Sequence, residues 1–490
     1  MICVSIGRGR HRHMIAEHQH LVSQGAQLVE LRVDYIQRAV NLRRLIDDRP
    51  CPVVITARRE VDGGRWSLSE AERLVLIRSA IAEGVEYVDL EEDIAGSIPR
   101  FGKTKRIVSL HNFEETPADL EAIHARLAAL DADIVKIATM ANHPRDNLRM
   151  LKLMREATVP TIGLCMGEIG TPSRILAGKF GAPFTYATFS HERALAPGQL
   201  SYKQMTQIYR YEEINAETDV YGVIADPVGH SLSPLVHNAA LRLRGLNAVY
   251  VPFRVPRSAL DDFLSELSEL GIRGLSVTIP HKEAVLRHVK ELDAAVQGIG
   301  AANTLVLEQG QLRAFNTDVA AAMDCIDGVF DPEELKGKTA LVLGAGGAAK
   351  AIVFGLRQRG ANVVIASRTL ERSEKLAEAF SATAVTWENR HQTQVVLVVN
   401  CTPVGMHPDV DDSPVQRHYL KPNMTVFDTV YNPEQTLLIK HARQQNCRVL
   451  TGLEMFVRQA ALQFEHFTGE DPPEQSMREV VRKAIAAART

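Results

Sequence analysis

Eight short, strand-like runs, spaced almost evenly through the first two hundred residues, constrain this chain more than any other feature. They are Ile2–Ile6, Leu28–Leu31, Val53–Thr56, Tyr87–Leu90, Arg106–Leu110, Ile134–Ala138, Thr161–Cys165 and Phe184–Thr188. Between most of them lie segments with helical spacing, such as Glu70 to Glu83 and Ala118 to Leu130. Strand and helix in eight repeats predict an α/β chain whose residues 1–212 form a (β/α)8 barrel, with an open doubly wound sheet as the competing topology. A polar stretch, Tyr211 to Asp219, then breaks the pattern as a linker would. The run Val220–Ile224 opens a second α/β region over residues 219–490. This region divides again, into a lobe of about 219–322 plus the C-terminal helix and a lobe of about 323–460.

Composition narrows the function. The formal charge of −3 on 490 residues leaves no basic excess of the kind that binds nucleic acid or an anionic membrane. No run of 18 apolar residues reads as a membrane span. The N-terminus runs from apolar to basic, the wrong order for a secretory signal. Six cysteines lie far apart with no C-x-x-C pair, as in a reducing cytoplasm. His11, His13, His18 and His20 lack an acid or cysteine at metal-ligand spacing, so no metal is expected. The acidic run Glu91-Glu92-Asp93 reads as a solvated strand end.

In a barrel, chemistry sits at the C-terminal ends of the strands. Those ends carry Glu30, Arg32 and Asp34 after the second run, Arg58 and then Asp62-Gly63-Gly64 after the third, and His111 after the fifth. Lys136 lies inside the sixth, Arg174 follows the seventh, and Gln199 follows the eighth. Burial disfavours an ammonium, and arginines beside it act in the same sense, which leaves an amine able to attack a carbonyl. His111 is one strand away and can carry a proton.

The strings ELRVD, TARREVDGG, SLHNFEETP, ADIVKIA, TPSR and APGQ, in this order, resemble the type I 3-dehydroquinate dehydratases. The resemblance implies a Schiff base on Lys136, with His111 as proton shuttle and Asp62 orienting it. Glu30, Arg32, Arg58, Arg174 and Gln199 would hold the substrate. Two positions depart from the family pattern: Asp62 stands where Glu is common, and Leu195 where Ser is common. A Schiff-base aldolase on the same barrel is the alternative chemistry.

In the second region, GAGGAA at Gly344–Ala349 follows the run Thr339–Leu343 and opens a helical stretch. Gly344, Gly346, Gly347 and Ala348 would form a tight turn over a pyrophosphate at a helix N-terminus. The next run, Asn362–Ala366, ends in Ser367, Arg368 and Thr369 where an NAD site usually has an acid. An arginine there complements a 2′-phosphate, so NADP(H) is the expected cofactor. Upstream, Ser231, Ser233, Thr278, Lys282, Asn303 and Asp318 suit a small polyhydroxylated acid.

These strings, with NCTPVGM, VYNP and GLEMFVRQA, resemble shikimate dehydrogenase. That resemblance makes Lys282 and Asp318 the catalytic pair. It assigns Ser231 and Ser233 to the carboxylate, Thr278, Asn303 and Gln459 to ring hydroxyls, and Thr402 to the cofactor site. Quinate oxidation is the close alternative, and a catalytically silent binding protein the distant one. Together the two resemblances imply a bifunctional enzyme that dehydrates 3-dehydroquinate to 3-dehydroshikimate and reduces this to shikimate. Its partners would be these small molecules, with no nucleic acid and no membrane.

Overall fold

The computed structural model describes residues 1–229 and 231–487. The chain divides into two compact units, Met1–His230 with Asn247–Ile272, and Ser231–Leu246 with Arg273–Thr490. This division differs from one at the polar linker, which holds a single 3-10 turn at Tyr211–Glu213. The strands β9 (Asp219–Ala225) and β10 (Ala248–Arg254) thus group with the barrel. Glu168 shows why. It accepts from Gly229 N at 2.8 Å and from the Arg254 guanidinium at 3.0 Å, a tie that no sequence pattern announces.

The barrel strands of the first unit are β1 (Ile2–Ile6), β2 (Leu28–Arg32), β3 (Val53–Thr56), β4 (Tyr87–Glu91), β5 (Lys105–Asn112), β6 (Ile134–Met140), β7 (Thr161–Met166) and β8 (Thr185–Thr188). They pair in parallel in the order β7-β6-β5-β4-β3-β2-β1-β8. Among the described residues no ladder joins β7 to β8, so the barrel is nearly closed rather than fully laced. Loop contacts bridge that seam: Gly167 N donates to Pro197 O at 3.2 Å, and Thr185 Oγ1 donates to Arg174 O at 3.1 Å.

Alternation along the strands builds the interior in layers, because every second residue faces inward. Leu28, Val54, Ile107 and Ile134 belong to one apolar cluster, against which Tyr87 packs. Two residues further along each strand the inward positions are Glu30, Thr56, Asp89, Ser109 and Lys136. Two further still come Arg32, Arg58, Glu91 and His111. Register supports this layering, since Ser109 pairs with Lys136, and His111 with Ala138. A polar stratum therefore rests on a greasy floor.

The second unit holds β11 (Ile272–Val277), β12 (Glu291–Leu292), β13 (Thr304–Glu308) and β14 (Gln311–Phe315), adjacent in the order β11-β13-β14-β12. It also holds β15 (Thr339–Leu343), β16 (Asn362–Ala366), β17 (Thr383–Val385), β18 (Leu397–Asn400), β19 (Thr425–Asp428) and β20 (Arg448–Thr451). These six are all parallel, in the order β17-β16-β15-β18-β19-β20, the dinucleotide-fold order 3-2-1-4-5-6. Ala340 and Val342 of β15 join one buried cluster while Leu341 and Leu343 join another, so both faces of the sheet are covered. The last helix, Glu474–Ala487, buries Met477, Val481 and Ile485 at helical spacing and packs on Ser233–Leu243. Residues 488–490, expected to continue it, lie outside the described residues. No helix among the described residues is long and apolar enough to cross a membrane.

Candidate active sites

The upper layers of the barrel line a cavity with an empty volume of about 540 Å³. Glu30, Arg32, Arg58, Asp62, His111, Lys136, Arg174 and Gln199 all border it, as the sequence predicts. Lys136 is buried, with Nζ 2.9 Å from Asp89 Oδ2, 3.9 Å from Glu30 Oε1 and 4.2 Å from the centre of the Tyr186 ring. Carboxylates as well as arginines surround the lysine. Burial pushes the His111 ring well below its ordinary pKa, and Arg58 and Lys136 add to this, which favours the uncharged ring. Its Nδ1 has no partner among the described residues, and its ring stacks on Phe113.

Arg174 is 2% exposed, and its Nε and Nη1 find no partner among the described residues. Burial lowers its pKa to about 10. A buried guanidinium with idle donors suits an anion such as a carboxylate. Gln199 Oε1 is taken by the backbone N–H groups of Leu195 and Ala196, at 2.7 and 3.2 Å, which leaves its Nε2 for a ligand. Glu30 accepts from Ser5 Oγ at 2.5 Å and Thr56 Oγ1 at 2.8 Å. Arg32 grips Asp34 through two bonds of 2.9 and 2.8 Å.

Two expectations need correction. Asp62 does not orient His111 here, because its short arm is held by Arg59 Nε at 2.7 Å. Arg58 lines the cavity and is also pinned by the protein: it donates to Asp89, Glu91 and Ser109. Glu91 is not solvated but 4% exposed, between Arg58 at 3.0 Å and Arg73 at 2.7 Å. Asp89 was missed altogether. Its signal, an acid inside the strand-like run YVDLE, is of the same kind that singled out Lys136.

In the second unit Lys282 Nζ donates to Asp318 Oδ2 at 2.6 Å. Asn303 Nδ2 donates to Asp318 Oδ1 at 3.0 Å and to Thr317 Oγ1 at 2.8 Å, and Thr317 Oγ1 donates to Gln459 O at 3.2 Å. One network thus joins Lys282, Asp318, Asn303 and Gln459. Gln463, another residue sequence reasoning missed, braces it from the helix Gly452–Thr468 by donating to Asn303 O at 2.9 Å. Ser231 Oγ accepts from Ser233 N at 3.2 Å at the start of a helix. Among the described residues no hydrogen bond joins Ser231, Ser233 or the Thr278 side chain to the network. No group of three acids, histidines or cysteines among the described residues could hold a metal.

The turn after β15 fits a dinucleotide. Gly344 has φ +109°, and a Cβ there would lie 2.9 Å from Cys401 O, at the point where the strand order reverses. Gly346 caps the helix Gly347–Gln358 without any side-chain cap, so its first N–H groups are free for phosphate. Gly347 abuts the Lys282 side chain, with a built Cβ only 3.1 Å from Cδ, and Ala348 follows it in the first turn. Arg368 is exposed, with no side-chain hydrogen bond or ion pair among the described residues, beside Thr369 and the Ser367 hydroxyl that donates to Thr369 O at 2.7 Å. Glu371, which could mimic an NAD-type acid, instead pairs with Lys375 along its own helix. Thr402 Oγ1 donates to Asn400 Oδ1 at 2.7 Å and so fixes the loop opposite Gly344.

These features define an α/β barrel with a buried lysine in its polar cavity and a dinucleotide-binding oxidoreductase region on one chain. The type I 3-dehydroquinase family matches residues 2–216, the shikimate dehydrogenase substrate-binding domain 223–305, the shikimate/quinate 5-dehydrogenase family 328–401, and the shikimate 5'-dehydrogenase C-terminal domain 452–482. The chain is 38% identical to the chloroplastic bifunctional 3-dehydroquinate dehydratase/shikimate dehydrogenase of Arabidopsis thaliana, over 99% of this chain and 84% of that protein. It is 42% identical to the shikimate dehydrogenase (NADP(+)) of Methanopyrus kandleri, over 55% of this chain and 96% of that one. The shikimate 5-dehydrogenase of Thermus thermophilus, solved with NADP(H) and shikimate, is 37% identical with a TM-score of 0.50, covering 55% of this chain and all of that one. The chain belongs to the bifunctional 3-dehydroquinate dehydratase/shikimate dehydrogenase family.

Proposed function

We propose that the protein converts 3-dehydroquinate to 3-dehydroshikimate in residues 1–212 and reduces the latter to shikimate with NADPH in residues 219–490. The observation that carries the first half is Lys136, buried beside a neutral histidine and an idle Arg174. Its amine adds to the substrate ketone, and water leaves to give a protonated imine. His111 takes a proton from the carbon beside the imine, and the C–H electron pair moves toward the imine nitrogen. The resulting enamine expels the neighbouring hydroxyl, which leaves as water with the proton from His111. Hydrolysis of the imine restores Lys136.

For the reduction, bound NADPH supplies the hydride. Lys282 then donates a proton to the ketone oxygen as negative charge develops there, and Asp318 holds the ammonium in place. Arg368 would hold the 2′-phosphate, and Ser231 and Ser233 the substrate carboxylate. We place the protein in the cytoplasm, a reading supported by six free cysteines.

Purified protein given 3-dehydroquinate and NADPH should yield shikimate. Lys136→Ala should abolish the dehydration and leave reduction of added 3-dehydroshikimate at the native rate. Failure of the native protein to form shikimate would remove the reading.

A further inference from the structure

Resting on that reading, we propose that Asp89 is the resident counter-ion of the Lys136 imine and the group that sets the direction of its N–H. Both oxygens of this carboxylate are engaged inside the protein. Oδ1 takes the Ser109 hydroxyl at 2.6 Å, while Oδ2 takes Lys136 Nζ and Arg58 Nη2, each at 2.9 Å. The side chain has no exposed area. Asp89 therefore acts on the nitrogen rather than on the substrate.

Condensation with a ketone replaces two of the three ammonium hydrogens by a double bond to carbon. The protonated imine keeps one N–H and the full positive charge at the same atom. Within hydrogen-bond reach of that atom stands Asp89, with Glu30 further off at 3.9 Å and a tyrosine ring on another side. The remaining N–H is thereby aimed at Asp89, and the plane of the C=N bond follows. That plane fixes which adjacent C–H bond lines up with the electron sink.

The carboxylate is held in its charged form. Burial opposes ionisation, but Arg58, Lys136 and the Ser109 hydroxyl outweigh it and keep the group well below the ordinary carboxylate range. Its position is held from the surface inward. Glu70 pairs with Arg73 at 2.7 Å, Arg73 with Glu91 at 2.7 Å, Glu91 with Arg58 at 3.0 Å, and Arg58 with Asp89 at 2.9 Å. Charges alternate without a break from a surface helix to the reacting nitrogen.

Asp89→Asn keeps the shape and removes the charge. In the full-length protein, kcat for dehydration should fall about a hundredfold with KM within about threefold, since the charge stabilises an intermediate rather than the bound substrate. The fraction of protein trapped by borohydride at saturating 3-dehydroquinate should fall with it, while reduction of 3-dehydroshikimate stays native. If Asp89→Asn does not fold, Ser109→Ala removes one bond to Asp89 and should lower kcat and trapping roughly fivefold. Native kcat and trapping in the variant that folds would overturn the inference, as would a rise in KM with trapping unchanged. Native protein that traps no adduct would instead defeat the Schiff-base reading itself, a separate result.

Discussion

Lys282 and Asp318 share a 2.6 Å contact, so under the proposed function the loss of either should disable the other. Lys282→Ala and Asp318→Ala should each lower kcat for reduction far more than they raise KM. The double variant should be little slower than either single one, because groups that act as a unit are not additive. Steady-state rates of the three proteins check this; losses that multiply would make them independent binding residues. Both residues are visible in the sequence as polar groups after strand-like segments, as is His111, while Lys136 is visible as a charge inside one. Asp89 is visible by the same rule, a charge in a strand interior at the offset of Glu30 and Lys136. It is hidden only if acids are sought at strand ends. Glu91 and Asp62 mislead for a different reason: their partners Arg73 and Arg59 are chosen by packing, which spacing does not encode.

At the level of elements, the glycine turn separates structural from ligand-facing roles. A Cβ on Gly344 meets a backbone oxygen, and its φ of +109° strains any side chain. Gly344→Ala should cost roughly 1–3 kcal/mol of stability and weaken NADPH binding together. Gly346 has nothing of the protein within 4 Å of a built Cβ, so Gly346→Ala should weaken NADPH while leaving the thermal midpoint unchanged. Melting curves and NADPH titrations of the two variants test the contrast. The strands flanking this turn were legible because β15 and β16 are short apolar runs bounded by turn residues. The nearly closed barrel was legible as eight runs, but not its missing β7–β8 ladder, since closure depends on tilt and register between distant strands.

For the whole molecule, two buried aspartates give the two units opposite responses to acid. Burial pushes Asp428 from 3.8 up to about 6, against hydrogen bonds from Thr436, the Val430 N–H and Asn400. The folded state then holds a proton that the unfolded chain has released. Stability of the second unit should therefore fall as pH rises from about 4 to about 6, by on the order of 3 kcal/mol. Asp89 works the other way. Held low by its cations, it contributes stability above the ordinary carboxylate range, and this is lost as pH falls through that range. Hydrogen exchange followed across this interval should show β19 protected more strongly at pH 4 than at pH 6, with the difference abolished in Asp428→Asn. Protection of β19 that grows from pH 4 to pH 6 would contradict the assignment.

The seam between β7 and β8 gives the barrel wall one compliant joint in an otherwise laced hoop. Arg174 stands on the β7 side of that joint and Gln199 beyond β8. Under the proposed function, a substrate held by both residues would rivet the gap that backbone pairing leaves open among the described residues.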